Sequence, residues 1–491
     1  MTTTASQTAS QPNQAWSEER LRETYQGSAD VYIDACRFGQ SEHVNVILLY
    51  ANGLCDGHHV QEIVLPALGK HFDQHADGAS GLEQLISRLT LVSISEQPTV
   101  EELDESIFEG DLILFFTEEN RCFRMCINHR PQRSPQESST EISIKGPKDG
   151  FIEDMYTNIA LIRKRVRSHS LYVKPFTLGV RTKTKVSLLY FHDIINPKIL
   201  DDVCKKLDKF ESDGLYSINQ LEESLTGSKL KLLPLMDYTG RPDFCVNALL
   251  SGRFLIIVDG NPLVLIGPAG LSLILKSPED VHFNYSYITF ARLIRAFSLF
   301  LSVFLPALWV SLMAFHQDQI PFRIMATVSV SRLGLPFSSQ IETFILLMLL
   351  EIFREAGVRL PSAIGQTLTS IGGLIIGDAA IRSGLVSPSV VVIGAITAVS
   401  GVTLVNQSLS TVVSILRLFF FGLACYLGMY GVILGIVIFV AYMASQRSFG
   451  MNYLAPLSPL NIREVMMSYL RVPWFMLKRR PTTLKTQDED R

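Results

Sequence analysis

The segment from Glu351 to Asp378 carries the residues of this hydrophobic half of the chain that are best suited to chemistry. Its first part holds four charged side chains, Glu351, Arg354, Glu355 and Arg359, and a glycine-rich stretch then ends in Asp378. Lipid penalises charges and unpaired backbone groups, so this segment should be shielded by protein or line water. We therefore predict that function is concentrated here.

The glycine-rich part combines small and polar residues at helical spacing. Small residues allow helices to approach closely, although the single GxxxG spacing of Gly373 and Gly377 is a weak signal by itself. Tight packing explains the glycines but not the acid at the end. We predict pore or oligomer-contact positions at Gln366, Thr369, Ser370, Gly373, Gly377 and Asp378.

A second predicted group consists of coupling charges near the membrane edge, Glu342, Glu351, Arg354 and Glu355. Glu342 and Glu351 are nine positions apart, about two and a half helical turns, so the two carboxylates point to opposite sides of a helix and should face different neighbours. Their candidate partners are Arg332, Arg354 and Arg359. The alternative, a solvated helix end beyond the membrane, stays open.

Uncharged stretches of membrane-spanning length surround these residues. Ala296–Phe315 has twenty residues without a charge, about 30 Å of helix, and Leu385–Val405 is a further predicted span. Leu418–Gln446 is either one long span or a hairpin that turns near Gly428. Arg417, if it lies at membrane depth, costs about 2.5–3.5 kcal/mol and should have a protein partner or water.

Basic residues flank this region on both sides. Arg292 and Arg295 precede the first span, and several Arg and Lys residues follow the last one. By the positive-inside rule, both flanks belong on the cytoplasmic side. An even number of crossings, four or six, is therefore expected.

The remaining sequence predicts a fold class of an α/β N-terminal soluble region, with two small α/β subdomains, followed by an all-α polytopic membrane domain. The net charge of −3, without a basic stripe, argues against nucleic acid. The predicted boundaries are 1–27 for a disordered tail, 28–128 for the first α/β subdomain, 129–150 for a linker, 151–288 for the second α/β subdomain, 289–447 for the transmembrane helices and 448–491 for a cytoplasmic tail.

Enzymatic chemistry has little support in the sequence. There is no phosphate-binding loop of the GxxxxGK[ST] or GxGxxG type, and the seven cysteines form no CxxC pair. We predict no catalytic residue, no metal site and no cofactor. The adjacent His58 and His59 point in different directions on a helix and are predicted to mark a helix start.

Several long motifs, in order, resemble one family. The run PSAIGQTLTSIGGLIIGDAA, preceded by EIFREAGVRLP, is similar to the signature of the GerA-type spore germination proteins, the A subunits of germinant receptors. KGPKDGFIEDMYTNIALIRKR, GRFLIIVDGNPLVLIGP, SRLGLPFSSQIE and SFGMNYLAPLSP resemble the same family. The resemblance covers about residues 145–460 and extends more weakly to about residue 28.

The resemblance implies a multi-pass protein of the spore inner membrane whose N-terminal subdomains face the spore core. It implies work with a transporter-like B-type subunit and a C-type lipoprotein, and assembly into a homo-oligomeric, ligand-gated cation channel. In one position the chain departs from the family, which usually has Gln where Asp378 stands. An acid there either adds a negative ring to a pore or pairs quietly with Arg382.

Two other functions remain as alternatives at this stage. A glycine- and proline-broken segment in the membrane also fits a secondary transporter of small solutes, although no inverted repeat is seen. A family paralogue that amplifies germination without sensing a germinant is the third hypothesis. We take the receptor subunit, acting in germinant signal transduction, as the leading one.

Overall fold

A computed structural model describes residues 16–38, 46–74, 82–94, 98–117, 119–127, 141, 143–227, 232–359, 378–473 and 479–490. These residues divide into two compact units. The first unit contains those up to Gly227, Tyr238–Gly267 and the residues after 478. The second contains residues 232–237 and those within Pro268–Leu477.

A five-stranded antiparallel sheet begins the first unit, with strand order β1-β2-β4-β5-β3. Its central strands are covered on both faces, so they are continuous apolar runs rather than alternating ones. Leu48 and Leu114 face one core cluster, whereas Leu49 and Ile113 face the other. The elements are α1 (Glu18–Thr24), β1 (Val31–Cys36), β2 (Val46–Ala51), α2 (Gly57–His59), a π-helical turn (Val60–Val64), α3 (Leu65–Gln74), α4 (Leu82–Leu89), β3 (Val92–Ser93), α5 (Val100–Glu109), β4 (Leu112–Phe116) and β5 (Arg121–Met125).

A second five-stranded sheet repeats this plan, with strand order β6-β7-β9-β10-β8. Each sheet follows one chain order: helix, two strands, helices, strand, helix, two strands. The same architecture therefore occurs twice. The elements are α6 (Met155–Arg163), β6 (Leu171–Leu178), β7 (Thr184–Phe191), α7 (Pro197–Asp208), α8 (Ile218–Thr226), β8 (Asp237–Thr239), α9 (Pro242–Leu250), β9 (Phe254–Val258) and β10 (Val264–Gly267).

Arg163 joins the two sheets of this unit through a buried ion pair. Its Nε and Nη2 atoms donate to the two Asp30 carboxylate oxygens at 2.7 and 3.0 Å. The remaining Nη1 donates to the Ser168 carbonyl at 2.9 Å, and Nη2 also reaches Ser28 and Leu171. Two pairs lie close by: Arg167 with Glu109, and His169 with Asp104.

The prediction of a disordered tail is wrong for residues 16–27, which belong to the first core. Ser17 caps α1, and Trp16, Leu21 and Tyr25 are buried against α5 and the sheet. Three apolar residues spaced along one short helix are a weak sequence signal, and packing decides their place. Residues 479–490 also pack against the first unit, because Leu484 is buried and the Gln487 side chain donates to the Ile195 carbonyl.

The second unit is helical. Two short antiparallel strands follow its longest helix. Its elements are α10 (Leu271–Ile274), a 3₁₀ turn (Pro278–Val281), α11 (Tyr285–Ala314), a 3₁₀ turn (Gln317–Gln319), α12 (Phe322–Ser331), α13 (Ser339–Arg359), residues 378–382, α14 (Pro388–Val402), α15 (Gln407–Ser445), β11 (Arg447–Ser448), β12 (Met451–Asn452) and α16 (Ile462–Tyr469), while the 3₁₀ turn Thr482–Leu484 belongs to the first unit.

Helix α15 is two arms that fold back on each other at Gly428. That residue has φ 60° and ψ −142°, a conformation open essentially to glycine. The Phe420 and Phe439 rings are 6.1 Å apart, although nineteen residues of straight helix would separate them by about 28 Å. A methyl group on Gly435 would lie 2.8 Å from the Phe420 ring. The sequence alternative of one long span is therefore replaced by the hairpin.

Candidate functional site

The two ends of the helical unit are defined by α11. At its beginning, here called the proximal end, the Asp280 carboxylate accepts from Arg292 at 2.8 Å and Arg295 at 2.5 Å. Burial raises the Asp280 pKa, but the hydrogen bond from Arg295 and the charge of Arg292 outweigh it, and the pKa lies below its usual value. At the other, distal end, Phe315 packs against Gly428.

Both arms of α15 reach the proximal end. Asn406, which caps the first arm, donates to Asp237 at 2.6 Å. Just after the second arm, Ser448 donates to the Leu235 carbonyl at 2.6 Å. The Leu235 carbonyl also accepts from the backbone of Ala269, which leads into the α10 segment beside α11. The hairpin turn is thus distal and its two open ends are proximal.

Helices α13 and α14 run from the distal to the proximal end. The early α13 residue Glu342 accepts from the backbone N–H of Ser387, where α14 begins, at 3.2 Å. Later in α13, Arg354 donates to the Ser410 carbonyl in the first turn of α15 at 3.4 Å. Gly384 lies beside Leu335 at the distal end.

A charged cluster joins α13 to α15 inside this unit. Glu351 contacts Arg354 through one carboxylate oxygen, and its other oxygen lies 3.8 Å from Arg417. Arg417 is 8% exposed and donates to Ser414 at 2.8 Å. It stands ten residues into the first arm, about 15 Å along a segment of about 31 Å. Of the two alternatives predicted for Arg417 at membrane depth, a protein partner or water, the structure shows protein partners.

The geometry of this cluster leaves it adjustable. Two guanidinium groups share one carboxylate, and 3.8 Å is beyond hydrogen-bond distance. A small shift of α13 against α15 would make or break the contact to Arg417. The cluster is therefore an ion-pair network with one long contact, and it includes no nucleophile or proton-transfer pair.

Glu342 has a different environment. Its side chain is fully buried, pairs with Arg332 at 3.1 Å and caps the N-terminus of α14. This arrangement confirms that Glu342 and Glu351 face different neighbours. It also gives Glu342 a structural task, since helix N-termini favour negative charge. Glu355 lies on the exposed side of α13.

Asp378 is exposed and forms an ion pair with Arg382 at 2.8 Å, one helical turn away. This is the pairing that the sequence offered as the quiet alternative. The other predicted pore or oligomer-contact positions, Gln366, Thr369, Ser370, Gly373 and Gly377, lie outside the described residues. Their roles stay predictions.

Sequence reasoning missed Asp280 and the partners of Arg417. An acid twelve and fifteen positions before two arginines was a signal for the first. Nothing local marked the second, because Glu351 and Arg417 are 66 positions apart. Among the described residues, no three His, Cys, Asp or Glu side chains are grouped so as to hold a metal ion, and the cysteines there are free thiols.

The molecule thus joins an α/β unit to a bundle that, within the described ranges, includes two helices long and apolar enough to cross a membrane, α11 and α15. The family model for the Bacillus/Clostridium GerA spore germination protein matches residues 19–483. The chain belongs to the GerA family of spore germination proteins.

Relatives align along nearly the whole chain. "Spore germination protein XA" of Bacillus anthracis is 40% identical over 96% of both chains. "Spore germination protein KA" of Bacillus subtilis (strain 168) is 32% identical over 94% of this chain and 85% of its own. "Uncharacterized membrane protein YfkQ" of the same strain is 32% identical, over 96% of this chain and 91% of its own.

A solved structure is also similar, that of the N-terminal domain of the A subunit of the Bacillus megaterium spore germinant receptor GerK3. It is 26% identical, with a TM-score of 0.39, over 52% of this chain and 96% of that chain. A TM-score this low carries no weight of its own. The α/β fold of the first unit rests on the strands and helices described above.

Proposed function

We propose that this chain is the A subunit of a spore germinant receptor and acts in germinant signal transduction at the spore inner membrane. The observation that carries the proposal is the alignment with a spore germination protein over 96% of both chains. The alignment runs through the α/β unit and the helix bundle alike, which supports a shared role for the whole chain. One relative is named as a membrane protein, which supports a membrane location for this chain.

The proposed topology places the proximal end on the cytoplasmic, spore-core side. Arg292 and Arg295 lie there, and so do the ends of the α15 hairpin, after which the basic tail begins. Positive residues favour that side. The first arm of α15, about 31 Å long, matches the roughly 30 Å of a bilayer core. Both flanks of the bundle are then on the core side.

The proposed signal passes through the contact between Glu351 and Arg417. Germinant binding at a B-type subunit, with a C-type lipoprotein alongside, would favour one of two arrangements of α13 against α15. A ligand shifts such an equilibrium only by its differential affinity for the two arrangements. A homo-oligomer of the chain would then open as a ligand-gated cation channel.

Germination of spores that lack this chain tests the receptor role. We expect a deletion strain to lose its response to one germinant in a panel while it germinates normally with the others. Restoring the gene should return the response. A deletion strain that responds normally to every germinant, alone and in mixtures, contradicts the receptor role.

Reconstitution of the purified chain in planar bilayers tests the channel step separately. Discrete cation currents are the expected result. Accumulation of a solute against its gradient, without discrete currents, would instead support a transporter. The deletion phenotype and the current are independent readouts, so each can fail without the other.

A further inference from the structure

Helix α16 presents an uncovered apolar face. Its apolar residues Ile462, Val465, Met466 and Tyr469 follow the i, i+3, i+4, i+7 spacing of one helix face. Ile462 is 68% exposed and Met466 is 54% exposed, and the preceding Leu460 is 68% exposed, whereas Val465 and Tyr469 at the edge of this face are half-buried. No residue of α16 is buried within the described part of the chain. A patch of this kind marks a surface that something apolar covers.

The C-terminal end of α16 is fixed to the first turns of α11. Arg292 donates to the Ser468 carbonyl at 3.0 Å. The Arg471 backbone N–H donates to the Thr289 hydroxyl at 3.0 Å. Arg292 is itself held by the buried Asp280. The helix therefore has a defined height along α11.

That height corresponds to the headgroup layer of a membrane that α11 crosses. The charge-free part of α11 begins at Ala296, four to seven residues after Arg292 and Thr289. At about 1.5 Å per residue, α16 attaches roughly 6–10 Å before the hydrocarbon begins. The headgroup region is about 5–8 Å thick on each side.

The surrounding side chains are those that favour a lipid interface. Tyr285, Tyr287 and Phe290, in the same turns of α11, are 50%, 58% and 62% exposed. Aromatic rings are enriched at this level of membrane proteins. Arg463, between the apolar residues of α16, is exposed and suited to lipid phosphates.

We propose that α16 lies in the lipid headgroup layer, with Leu460, Ile462 and Met466 turned toward the acyl chains. The occupant of the uncovered face is the membrane surface. Together with the aromatic turns of α11, the helix forms an interfacial collar at the proximal end of the bundle. The collar requires the membrane location proposed above but not the receptor or channel role.

Depth-dependent fluorescence quenching tests the collar on the full chain in phospholipid vesicles. A nitrobenzoxadiazole label is attached to Met466→Cys, and to Ile462→Cys as a second site on the same face. The lipids carry a nitroxide either near the carbonyl or near the chain end. Ser468→Cys, a half-buried position at the attached end of α16, is the matched control, and Phe300→Cys reports the span of α11. The labelled natural chain gives the background of the native cysteines.

We expect the labels at 462 and 466 to be quenched about threefold more by the shallow nitroxide than by the deep one, as for an interfacial helix. Phe300→Cys should show the reverse order, and Ser468→Cys little quenching. Labels at 462 and 466 that match Ser468→Cys, or that are shielded from both nitroxides and aqueous iodide as under a protein partner, overturn the collar. If Phe300→Cys is also unquenched, the membrane location itself is wrong.

Discussion

Two buried arginines, one in each unit, are held very differently. In the α/β unit, every guanidinium nitrogen of Arg163 is bonded, with a bidentate contact to Asp30, and its guanidinium stacks 4.3 Å from the Phe108 ring. In the helical unit, Arg417 donates one hydrogen bond, to Ser414, among the described residues, and its carboxylate partner Glu351 is 3.8 Å away.

The difference separates a structural charge from an adjustable one. A buried charge with a complete set of partners fixes one geometry, because losing any partner leaves a costly unpaired group. A buried charge with an incomplete set has a second arrangement within reach. The two side chains are similarly buried, with 1% and 8% of their surface exposed. Their hydrogen-bond and ion-pair partners, rather than their burial, therefore distinguish their roles.

Removing Arg163 should have the largest effect. Arg163→Ala leaves Asp30 buried without its cation, and we expect the α/β unit to lose about 3–5 kcal/mol of stability. Hydrogen exchange of strands β2 and β7 in the intact chain measures this loss. Arg167→Ala is the control, since its half-exposed pair with Glu109 contributes less than about 1 kcal/mol. Equal losses of stability in the two variants would show that Arg163 is not a structural charge.

Removing Arg417 should instead change signalling. Arg417→Leu leaves Glu351 paired with Arg354 and removes a loosely held charge, so the amount of protein in spores should stay within about twofold. The germinant response should fall about tenfold, inside the roughly 5–150-fold range of coupling energies. Loss of optical density of spore suspensions measures it.

Arg417→Lys is the matched control, because it keeps the charge, and it should retain most of the response. A leucine variant that germinates normally would show that the pair with Glu351 has no coupling role. A variant absent from the spores would place Arg417 with Arg163 as a structural charge.

A pH dependence is expected at the contact of His169 with Asp104. The hydrogen bond to Asp104 raises the His169 pKa above its ordinary value of 6.5, although burial acts in the opposite direction. The folded form thus binds the proton more tightly than the unfolded chain. This stabilisation is complete below about pH 6.5 and is lost as the pH rises through the raised value.

His169→Gln should flatten that profile between about pH 6 and about pH 8. The urea midpoint for protease resistance of the α/β unit measures it, with the natural chain alongside. Asp104 also accepts from Tyr25 and from the His169 backbone, and those bonds remain in the variant. Parallel profiles for the two chains would mean that His169 carries no linked proton.

The smallest effect should come from Asp378. Its pair with Arg382 is exposed, so Asp378→Asn should change stability by less than about 1 kcal/mol. Because the two charges neutralise each other, we expect single-channel cation preference to be unchanged. A loss of preference in Asp378→Asn would support the ring of negative charge.

Local patterns gave the parts of the fold whose partners are near in sequence. Leu82, Leu85 and Leu89 have the apolar spacing of one helix face and account for α4, and two apolar runs a few residues apart form the antiparallel pair β4 and β5. Strand β1 has no continuous apolar pattern by which the sequence could identify it, because it is a partly exposed edge strand that contains Asp34. Its place depends on pairing with β2.

The charged residues of the candidate site could be predicted from the sequence, but their contacts could not. Composition alone singled out Arg417 and Glu351 as costly charges, since lipid penalises both. Their contact required the antiparallel arrangement of α13 and the first arm of α15, which no local pattern contains. Gly428 was recognised as a turn residue, yet only the backfolded rings of Phe420 and Phe439 decide between bend and reversal.

The single-residue turn at Gly428 has a consequence for biogenesis. Leu418–Gln446 contains no charged side chain, and the reversal leaves no loop beyond the helix ends. In the proposed topology, no charged side chain has to cross the whole bilayer for the hairpin to form, because Arg417 stops about halfway, so both arms can enter the bilayer together from the core side. A protease or antibody outside the membrane would find no target at that turn.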